Sequence, residues 1–326
     1  MTDDSSHVRH VPARDIPVPT HLSPEAQAML SLPPLGEAPE SPSLDDKEGW
    51  WARTAVQDEM VLAALAPRAA KIDVDVEDRV VDGVPVFVIT PRGTAADDPR
   101  VFLDIHGGAL VMGSGAVCRA MGITSIPRTG VATWAVDYRM PPSDPYPAPL
   151  DDCVAVYRAL LEDHDPRDVI VGGSSAGGNL AAALILRARD EGLPLPAAAV
   201  LLTPEVDLTE SGDSFHTNLG LDSVLTARLM PTNLLYADGH DLAHPYLSPL
   251  FGDFTKGFPP TFLQAGTRDL FLSNAVRMHV ALREAGVPAD LYVLEGAPHG
   301  GFFGTAPEDD QLDRVVRRFV DEHWRT

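Results

Sequence analysis

The feature that most constrains the fold is a regular alternation of short apolar segments with helical ones, from residue 101 to the end of the chain. Near-continuous apolar segments of this length are typical of strands buried on both faces. Their alternation with helices predicts an α/β fold with a mostly parallel sheet and helices on both faces. The predicted strands are residues 101–105, 131–136, 168–171, 197–202, 261–264 and 291–294, and the predicted helices are roughly residues 116–128, 148–163, 176–191, 273–285 and 308–324.

The stretch before this alternation predicts an antiparallel entry into the sheet. Ile72, Val74 and Val76 alternate with acidic residues, as in a strand with one exposed face. Asp82-Gly83 then lies between two apolar runs, which is a hairpin signal. With the later strands, the hairpin brings the expected sheet to eight strands.

The N-terminal segment, residues 1–68, lies outside this sheet. Ser23-Pro24 is an N-cap followed by a first-turn proline, and it leads into a short predicted helix, Ala26–Leu30. A longer helix is predicted over Leu44–Leu65, with apolar anchors along it. Neither helix has an obvious partner within the segment, so we expect both to pack on the α/β core, residues 69–326.

A second segment, at about residues 206–256, interrupts the alternation. About fifty residues separate two predicted strands where one helix would be enough, and they include a predicted amphipathic helix, Asp222–Tyr236. Insertions of this kind at the carboxyl ends of strands are where open α/β sheets carry binding elements. We therefore expect the insertion to complete a helical cap together with residues 1–68.

Charge and apolar content exclude several function classes. The chain has 25 basic and 47 acidic residues, a net charge of −22, and this field repels nucleic-acid phosphates and anionic lipid headgroups. We expect neither a nucleic-acid partner nor a membrane surface. The polar start of the chain shows no signal peptide, and no apolar run has the length of a membrane span. Cys118 and Cys153 lie in apolar helical flanks and predict buried free thiols. A cytoplasmic location is the simplest expectation.

The sharpest local signal is Gly173-Ser-Ser175-Ala-Gly177, between a predicted strand and a predicted helix. A serine between glycines at such a junction can sit on a strained turn that exposes its hydroxyl above the sheet edge. The pattern alone is weak, so the interpretation depends on its strand–turn–helix context. We interpret Ser175 as a nucleophile, and the alternative is a glycine-rich turn with a serine helix cap.

A second signal, His106-Gly107-Gly108-Ala109, directly follows the predicted strand at 101–105. Consecutive glycines after a strand allow backbone N–H groups to point into a cavity without obstruction by side chains. Acyl-transfer chemistry needs such donors where a carbonyl oxygen becomes an oxyanion. Gly107, Gly108 and Ala176 are therefore the candidate oxyanion hole, and a bare turn at the strand end is the alternative.

A serine hydroxyl also needs a base that takes its proton at neutral pH. Of the eleven histidines, His299 is the best candidate, because it follows a predicted strand in a glycine-rich loop that can reach over the sheet edge. The acid that orients it should precede it on another strand-end loop, and Asp269 meets this condition. Glu295 and Asp290, both close to His299 in the chain, remain alternatives for the acid.

The chain order Ser175, Asp269, His299 and the motifs around it resemble those of the bacterial hormone-sensitive-lipase-like (family IV) esterases, within the α/β-hydrolase superfamily. The matching motifs cover nearly the whole chain and are His106-Gly-Gly-Ala109, Asp137-Tyr-Arg139, Pro145-Tyr-Pro147-Ala148, Gly173–Gly178, Ser248-Pro249, Asp269 and Pro298-His299-Gly300. Two positions depart from the family pattern: Ala109 replaces a third glycine, and Ser174 stands where many members have aspartate.

The resemblance implies an α/β-hydrolase fold with a helical cap and a serine carboxylesterase that acts on small or short-chain esters without metal or organic cofactor. A lactone hydrolase or an O-deacetylase would use the same triad, and a non-catalytic small-molecule receptor is disfavoured because all three triad residues are present. A homodimer through the last strand and helix is a further expectation. Glu205 is a candidate substrate contact, and an ion pair at the hinge of the lid is the alternative. The apolar candidates for the substrate pocket are Phe215, Leu229 and Met230, with Trp50, Trp51 and Leu225, and ordinary packing of the lid explains each of them equally well.

Two other patterns are weak candidates for a metal site and for a nucleotide-binding loop. His240 and His244 have a spacing that zinc ligands use, but neighbouring glycine and proline disfavour a helix and no third ligand is evident. Gly113-Ser-Gly115 resembles part of a dinucleotide-binding loop but lacks its third glycine. We expect neither a metal nor a nucleotide at these positions.

Overall fold

One sheet organises the protein in the computed structural model, which describes residues 9, 11–32 and 40–324. In the described chain the sheet has eight strands, which are β1 (Val74–Val81), β2 (Val84–Pro91), β3 (Val101–Ile105), β4 (Ala132–Val136), β5 (Val169–Ser174), β6 (Ala198–Leu202), β7 (Thr261–Gly266) and β8 (Ala289–Leu294). Their order across the sheet is β1-β2-β4-β3-β5-β6-β7-β8. The first two strands form the antiparallel hairpin predicted at Asp82-Gly83, β2 pairs antiparallel with β4, and all other neighbours are parallel.

Helices cover both faces of this sheet, as the alternation predicted. The helices are α1 (Pro24–Leu30), α2 (Lys47–Ala69), α3 (Ala116–Thr129), α4 (Ala148–Asp163), α5 (Ala176–Asp190), α6 (Ser214–Thr217), α7 (Met230–Ala237), α8 (Leu272–Glu284) and α9 (Pro307–His323). Successive strand residues point to opposite faces, so Leu103 packs towards α4, α5 and α8, whereas Phe102 packs towards α9. The predicted α/β class with a mostly parallel sheet is confirmed.

The order of the strands sets the position of the site. Because β3 lies between β4 and β5, the chain changes direction across the sheet at this strand. Ile105 at the end of β3 pairs with Gly173 near the end of β5. The loops that follow these two strands therefore meet at one edge, which is where open α/β sheets bind ligands. The loops after β6, β7 and β8 reach the same edge.

The N-terminal helices begin where their caps lie. The Ser23 hydroxyl accepts a hydrogen bond from the Ala26 N–H at 3.2 Å at the start of α1. The Asp46 carboxylate accepts from the Gly49 N–H at 2.9 Å, which is why α2 begins at Lys47 rather than at the predicted Leu44. α2 also continues four residues past the predicted end, to Ala69.

The predicted helix over Asp222–Tyr236 is wrong, because only Met230–Ala237 is helical. The Asp222 carboxylate accepts from the N–H groups of Val224 and Leu225, at 2.9 and 3.1 Å. The Leu229 N–H donates to Glu210 at 2.6 Å, just before α7 begins. Acidic side chains that bind backbone N–H groups in a turn compete with helix formation, so they delay the helix.

Trp50 joins the two segments that lie outside the sheet. It is almost fully buried and packs against Val111 and Met112, just after the glycine pair of the β3 loop, and against Leu235 of α7. Helix α1 packs elsewhere, on residues at and beyond the end of β8 that include Leu294.

Across the described residues, no helix combines the length and the apolar character that crossing a membrane requires. Both cysteines are free and buried, as predicted.

Candidate active site

Ser175 occupies a sharp turn between β5 and α5. Its backbone angles, φ 58° and ψ −122°, lie in a region that non-glycine residues rarely adopt and that costs about 1–3 kcal/mol. A Cβ at Gly177 would lie 1.9 Å from the Ile105 carbonyl oxygen, and one at Gly173 would lie 2.5 Å from that same atom. The two glycines therefore allow the turn to press against the end of β3 and leave the serine hydroxyl at the sheet edge.

The structure brings Ser175, His299 and Asp269 together. The Ser175 hydroxyl lies 2.9 Å from His299 Nε2, and His299 Nδ1 lies 3.1 Å from Asp269 Oδ1. Asp269 is fully buried, and its Oδ1 also accepts from the Phe271 N–H at 2.8 Å. With Nδ1–H donating to the carboxylate, Nε2 carries the lone pair that faces the serine hydroxyl.

The electrostatic setting of His299 favours its protonated form. Burial by itself lowers the pKa of the imidazole, but the charge and hydrogen bond of Asp269 and the charge of Asp222 act in the opposite direction. The pKa of His299 is therefore raised above its ordinary value. A base with this property accepts a proton from a serine hydroxyl more readily than an isolated histidine does.

Asp222 is a residue of the site that the sequence did not single out. Its Oδ1 accepts from the His299 N–H at 3.3 Å, and its Oδ2 accepts from the Leu270 N–H at 2.9 Å. One buried carboxylate from the insertion thus binds both the loop that carries His299 and the loop that carries Asp269. In the sequence, Asp222 is an acidic residue at the start of an apolar stretch. The start of a helix accounts for such a residue as well as a role in the site does.

The glycines of the β3 loop lie against the nucleophile turn. A Cβ at Gly107 would lie 3.3 Å from the Ser175 Cβ, and one at Gly108, where φ is 132°, would lie 2.0 Å from the Met112 carbonyl oxygen. None of the hydrogen bonds between described residues uses the N–H groups of Gly107, Gly108 or Ala176. These three N–H groups therefore have no hydrogen-bond acceptor within the described chain.

His106 and Tyr138 hold this loop in place. The Tyr138 hydroxyl donates to the His106 carbonyl oxygen at 2.8 Å, and the two rings stack at 4.1 Å. His106 Nδ1 lies 2.8 Å from the Gly107 carbonyl oxygen. The side chains of His106 and Tyr138 thus contact the backbone of the loop that carries Gly107 and Gly108.

Glu205 follows β6 and is fully buried beside the nucleophile turn. Its N–H donates to the Ser175 carbonyl oxygen at 3.2 Å, and the Asn179 side chain donates to its carbonyl oxygen at 2.7 Å. Burial, with a further contribution from the Glu210 carboxylate, raises the pKa of Glu205 to about 8. Burial therefore favours the protonated form of this side chain.

The predicted apolar substrate residues lie at different depths. Phe215 is fully buried and packs with Phe271, whose ring meets the His299 ring edge-on at 4.8 Å. Leu225 and Leu229 pack on the same small cluster, and Met230 is half-buried at the start of α7. Trp51 is 48% exposed on α2. Its neighbour Trp50 lies on the inner face of the helix.

The competing patterns have other partners. Glu295 and Asp290 are exposed, and neither is among the hydrogen-bond or ion-pair partners of His299 in the described part of the chain. His240 and His244 pack around Tyr146, and they belong to no three-residue ligand cluster in the described part of the chain. In the loop at residues 113–115, the two glycine N–H groups donate to the carboxylates of Asp58 and Asp137, which would repel a phosphate.

Comparison with known proteins identifies the family. Residues 102–303 match a family described as having the alpha/beta hydrolase fold. An acetyl-hydrolase of Streptomyces hygroscopicus is 39% identical over 60% of this chain and 65% of its own length. An esterase of Acinetobacter venetianus is 31% identical over 71% of this chain and 80% of its own length.

Solved structures extend the similarity over nearly the whole chain. Esterase E25 superposes with a TM-score of 0.88 at 35% identity and covers 98% of this chain and 99% of its own. An esterase from the bacterial hormone-sensitive lipase family superposes with a TM-score of 0.77 at 32% identity, over 92% and 98%. The chain therefore belongs to the bacterial hormone-sensitive-lipase-like (family IV) esterases of the α/β-hydrolase superfamily and is a carboxylic ester hydrolase.

Proposed function

We propose that the protein is a serine carboxylesterase that hydrolyses small or short-chain carboxylic esters through an acyl-enzyme. The observation that carries this proposal is the hydrogen-bonded chain from the Ser175 hydroxyl through His299 to the buried Asp269, with distances of 2.9 and 3.1 Å. In such a chain the imidazole takes the serine proton, while the carboxylate holds the tautomer of the ring and stabilises its cation.

The proposed reaction has two halves. Ser175 attacks the ester carbonyl as His299 accepts its proton, and the oxyanion binds the N–H groups of Gly107, Gly108 and Ala176. His299 then protonates the alcohol as it leaves. Water, deprotonated by His299, hydrolyses the acyl-enzyme in the same way. Each proton and each developing charge is handled by a group of this chain, so the proposal includes no cofactor.

The helical cap is part of the proposal, because it would set the shape of the substrate pocket. Trp50 of the N-terminal segment contacts Leu235 of the insertion, so the two predicted cap segments meet beside the oxyanion loop. We assign Glu205, Phe215, Leu229 and Met230 to the pocket wall. Apolar walls discriminate by only about 1–3 kcal/mol for each methylene, so we expect a graded preference for short acyl chains.

The nucleophile is tested with a serine-directed fluorophosphonate and a series of p-nitrophenyl esters from acetyl to decanoyl. The wild type should be labelled at Ser175, and Ser175→Ala should lose both labelling and turnover. Ser174→Ala is the matched control, since it changes the neighbouring serine and should keep both. An adduct on another residue, or turnover by Ser175→Ala, would remove the proposed mechanism.

A second substrate panel separates the related activities. The Streptomyces relative is named an acetyl-hydrolase, which favours acetyl esters among the test compounds. Lactones and O-acetylated sugars should be turned over more slowly than simple acetyl esters. The opposite ranking would reassign the same triad to a lactone hydrolase or an O-deacetylase.

A further inference from the structure

A compact group of ligating side chains lies beside the oxyanion loop. One ligand atom each from His106, Cys118 and Asp137 lie within 4.8 Å of one another. The three residues come from the ends of β3 and β4 and from the first turn of α3. Within the described ranges, no other set of three His, Cys, Asp or Glu residues is this compact. An imidazole nitrogen, a thiolate and a carboxylate are ligands that Zn²⁺ takes in proteins.

His106 lies in the protein interior, where it is 2% exposed. Nδ1–H donates to the Gly107 carbonyl oxygen at 2.8 Å, and the buried Nε2 has no hydrogen-bond partner. Metal-binding histidines usually donate their second ring N–H to a carbonyl or carboxylate. An unpartnered nitrogen in a protein interior is otherwise uncommon.

Further carboxylates lie close to the group. The Asp58 carboxylate accepts from the Gly113 N–H at 2.8 Å, and the Asp137 carboxylate accepts from the Gly115 N–H at 2.9 Å, so both contact the loop that follows His106. Asp104 is buried two residues before His106. A cation bound by the group would lie among these acidic side chains.

We propose that His106, Cys118 and Asp137 form a structural site for a divalent transition-metal cation, with Zn²⁺ as the best match to their mixed ligands. The cation would join β3, α3 and β4 beside the oxyanion loop and would not itself contact the ester. The Gly107 carbonyl and the Gly108 N–H belong to the same peptide group. Metal binding to His106 would therefore also fix one of the proposed oxyanion donors.

Zinc binding to the full-length protein tests the site directly. Chelator-treated protein is titrated with ZnCl₂ by calorimetry, and the bound metal is counted by atomic emission after dialysis. We expect one tightly bound Zn²⁺ in the wild type and a rise in Tm of several degrees, because a ligand of the native state stabilises it. Cys118→Ser and Asp137→Asn should lose the tight site and the rise in Tm.

Cys153→Ala is the matched control, because Cys153 is the other buried free thiol and lies outside the ligand group. It should bind Zn²⁺ as the wild type does. With CoCl₂ as the probe, the wild type and Cys153→Ala should show a thiolate-to-cobalt charge-transfer band that Cys118→Ser lacks. Esterase activity of metal-free Cys118→Ser shows that this variant is folded.

Two results would overturn the proposal. One is a wild type that binds no Zn²⁺ tightly, and the other is Cys118→Ser that keeps the tight site or the cobalt band. Neither measurement uses ester turnover, so failure of the metal site leaves the proposed esterase mechanism intact. If the proposed esterase mechanism were refuted instead, the metal titration would still test the metal site.

Discussion

Asp222→Asn perturbs the carboxylate that links the two catalytic loops. Asparagine keeps one acceptor oxygen for the His299 N–H, now 3.3 Å from Oδ1, but places an NH₂ donor opposite the Leu270 N–H, which lies 2.9 Å from Oδ2. The Leu270 bond is then lost. Hydrogen bonds to charged groups contribute about 1.5–3 kcal/mol. We expect the free energy of unfolding to fall by roughly that amount.

The same substitution removes a charge that acts on His299. The Asp222 carboxylate raises the pKa of the imidazole, so Asp222→Asn should lower it. His299 must be neutral to accept the serine proton, and the acid limb of kcat/KM reports the pKa of the free enzyme. The limb should therefore move to lower pH. If the lost anchor misaligns the loops, kcat on the plateau falls by about 10- to 100-fold, the equivalent of 1.5–3 kcal/mol.

The assay is a pH profile of kcat/KM with p-nitrophenyl acetate, together with urea unfolding of each variant. Asp309→Asn is the matched control, because Asp309 is also a buried carboxylate that accepts backbone N–H groups, from Phe302 and Ala306. It should lose stability but keep the wild-type acid limb. If the pH profile of kcat/KM for Asp222→Asn, scaled to the same plateau, coincides with that of the wild type, the electrostatic part of the reasoning is refuted. Unchanged stability would refute the anchoring part.

Three further predictions follow from the site. In the wild type, the acid limb of kcat/KM should lie above pH 6.5, since the pKa of His299 is raised from that value; a midpoint below it would contradict the assignment of this base. Gly108→Ala should lower kcat by about 10²–10³, the effect of losing an oxyanion donor, because its Cβ would lie 2.0 Å from the Met112 carbonyl oxygen. Gly83→Ala is the control, because open space surrounds an added Cβ there. It should change the free energy of unfolding but leave kcat unchanged. For Glu205, the folded pKa of about 8 exceeds the unfolded 4.5, so its contribution to stability falls as pH rises between these values. Glu205→Gln should therefore gain Tm relative to the wild type from about pH 5 to pH 8, and a constant Tm difference would show that Glu205 is ionised throughout.

Adjacent tryptophans on α2 show what a sequence pattern leaves open. Trp50 and Trp51 are equally apolar, yet one is 1% and the other 48% exposed. Neighbouring helical residues point about 100° apart, and only the position of the packed surface decides which of them is covered. Here that surface is the chain just after the β3 glycines together with α7. The sequence could predict the helix but not its inner face.

The helix predicted from Asp222 failed for a related reason. Its apolar spacing suited a helix, but the carboxylates of Asp222 and Glu210 bind backbone N–H groups of the same segment. Asp222 is held in that position by its bonds to the loops of Asp269 and His299, which lie about fifty and eighty residues further along the chain. Local propensity gave way to contacts that only the folded chain makes.

By itself, the sequence determined the α/β class, the strands and the loops that follow them, because these depend on apolar periodicity and on glycine at close backbone approaches. Ser175, Asp269 and His299 could be nominated because each follows a predicted strand. Only the tertiary structure determines which residues the loops of this triad contact. Placing β3 between β4 and β5 brings the glycine loop against the nucleophile turn. The folded chain also places Asp222 between the loops of Asp269 and His299 and gathers His106, Cys118 and Asp137. Proximity of this kind depends on the order of the strands and the packing of the loops rather than on spacing along the chain.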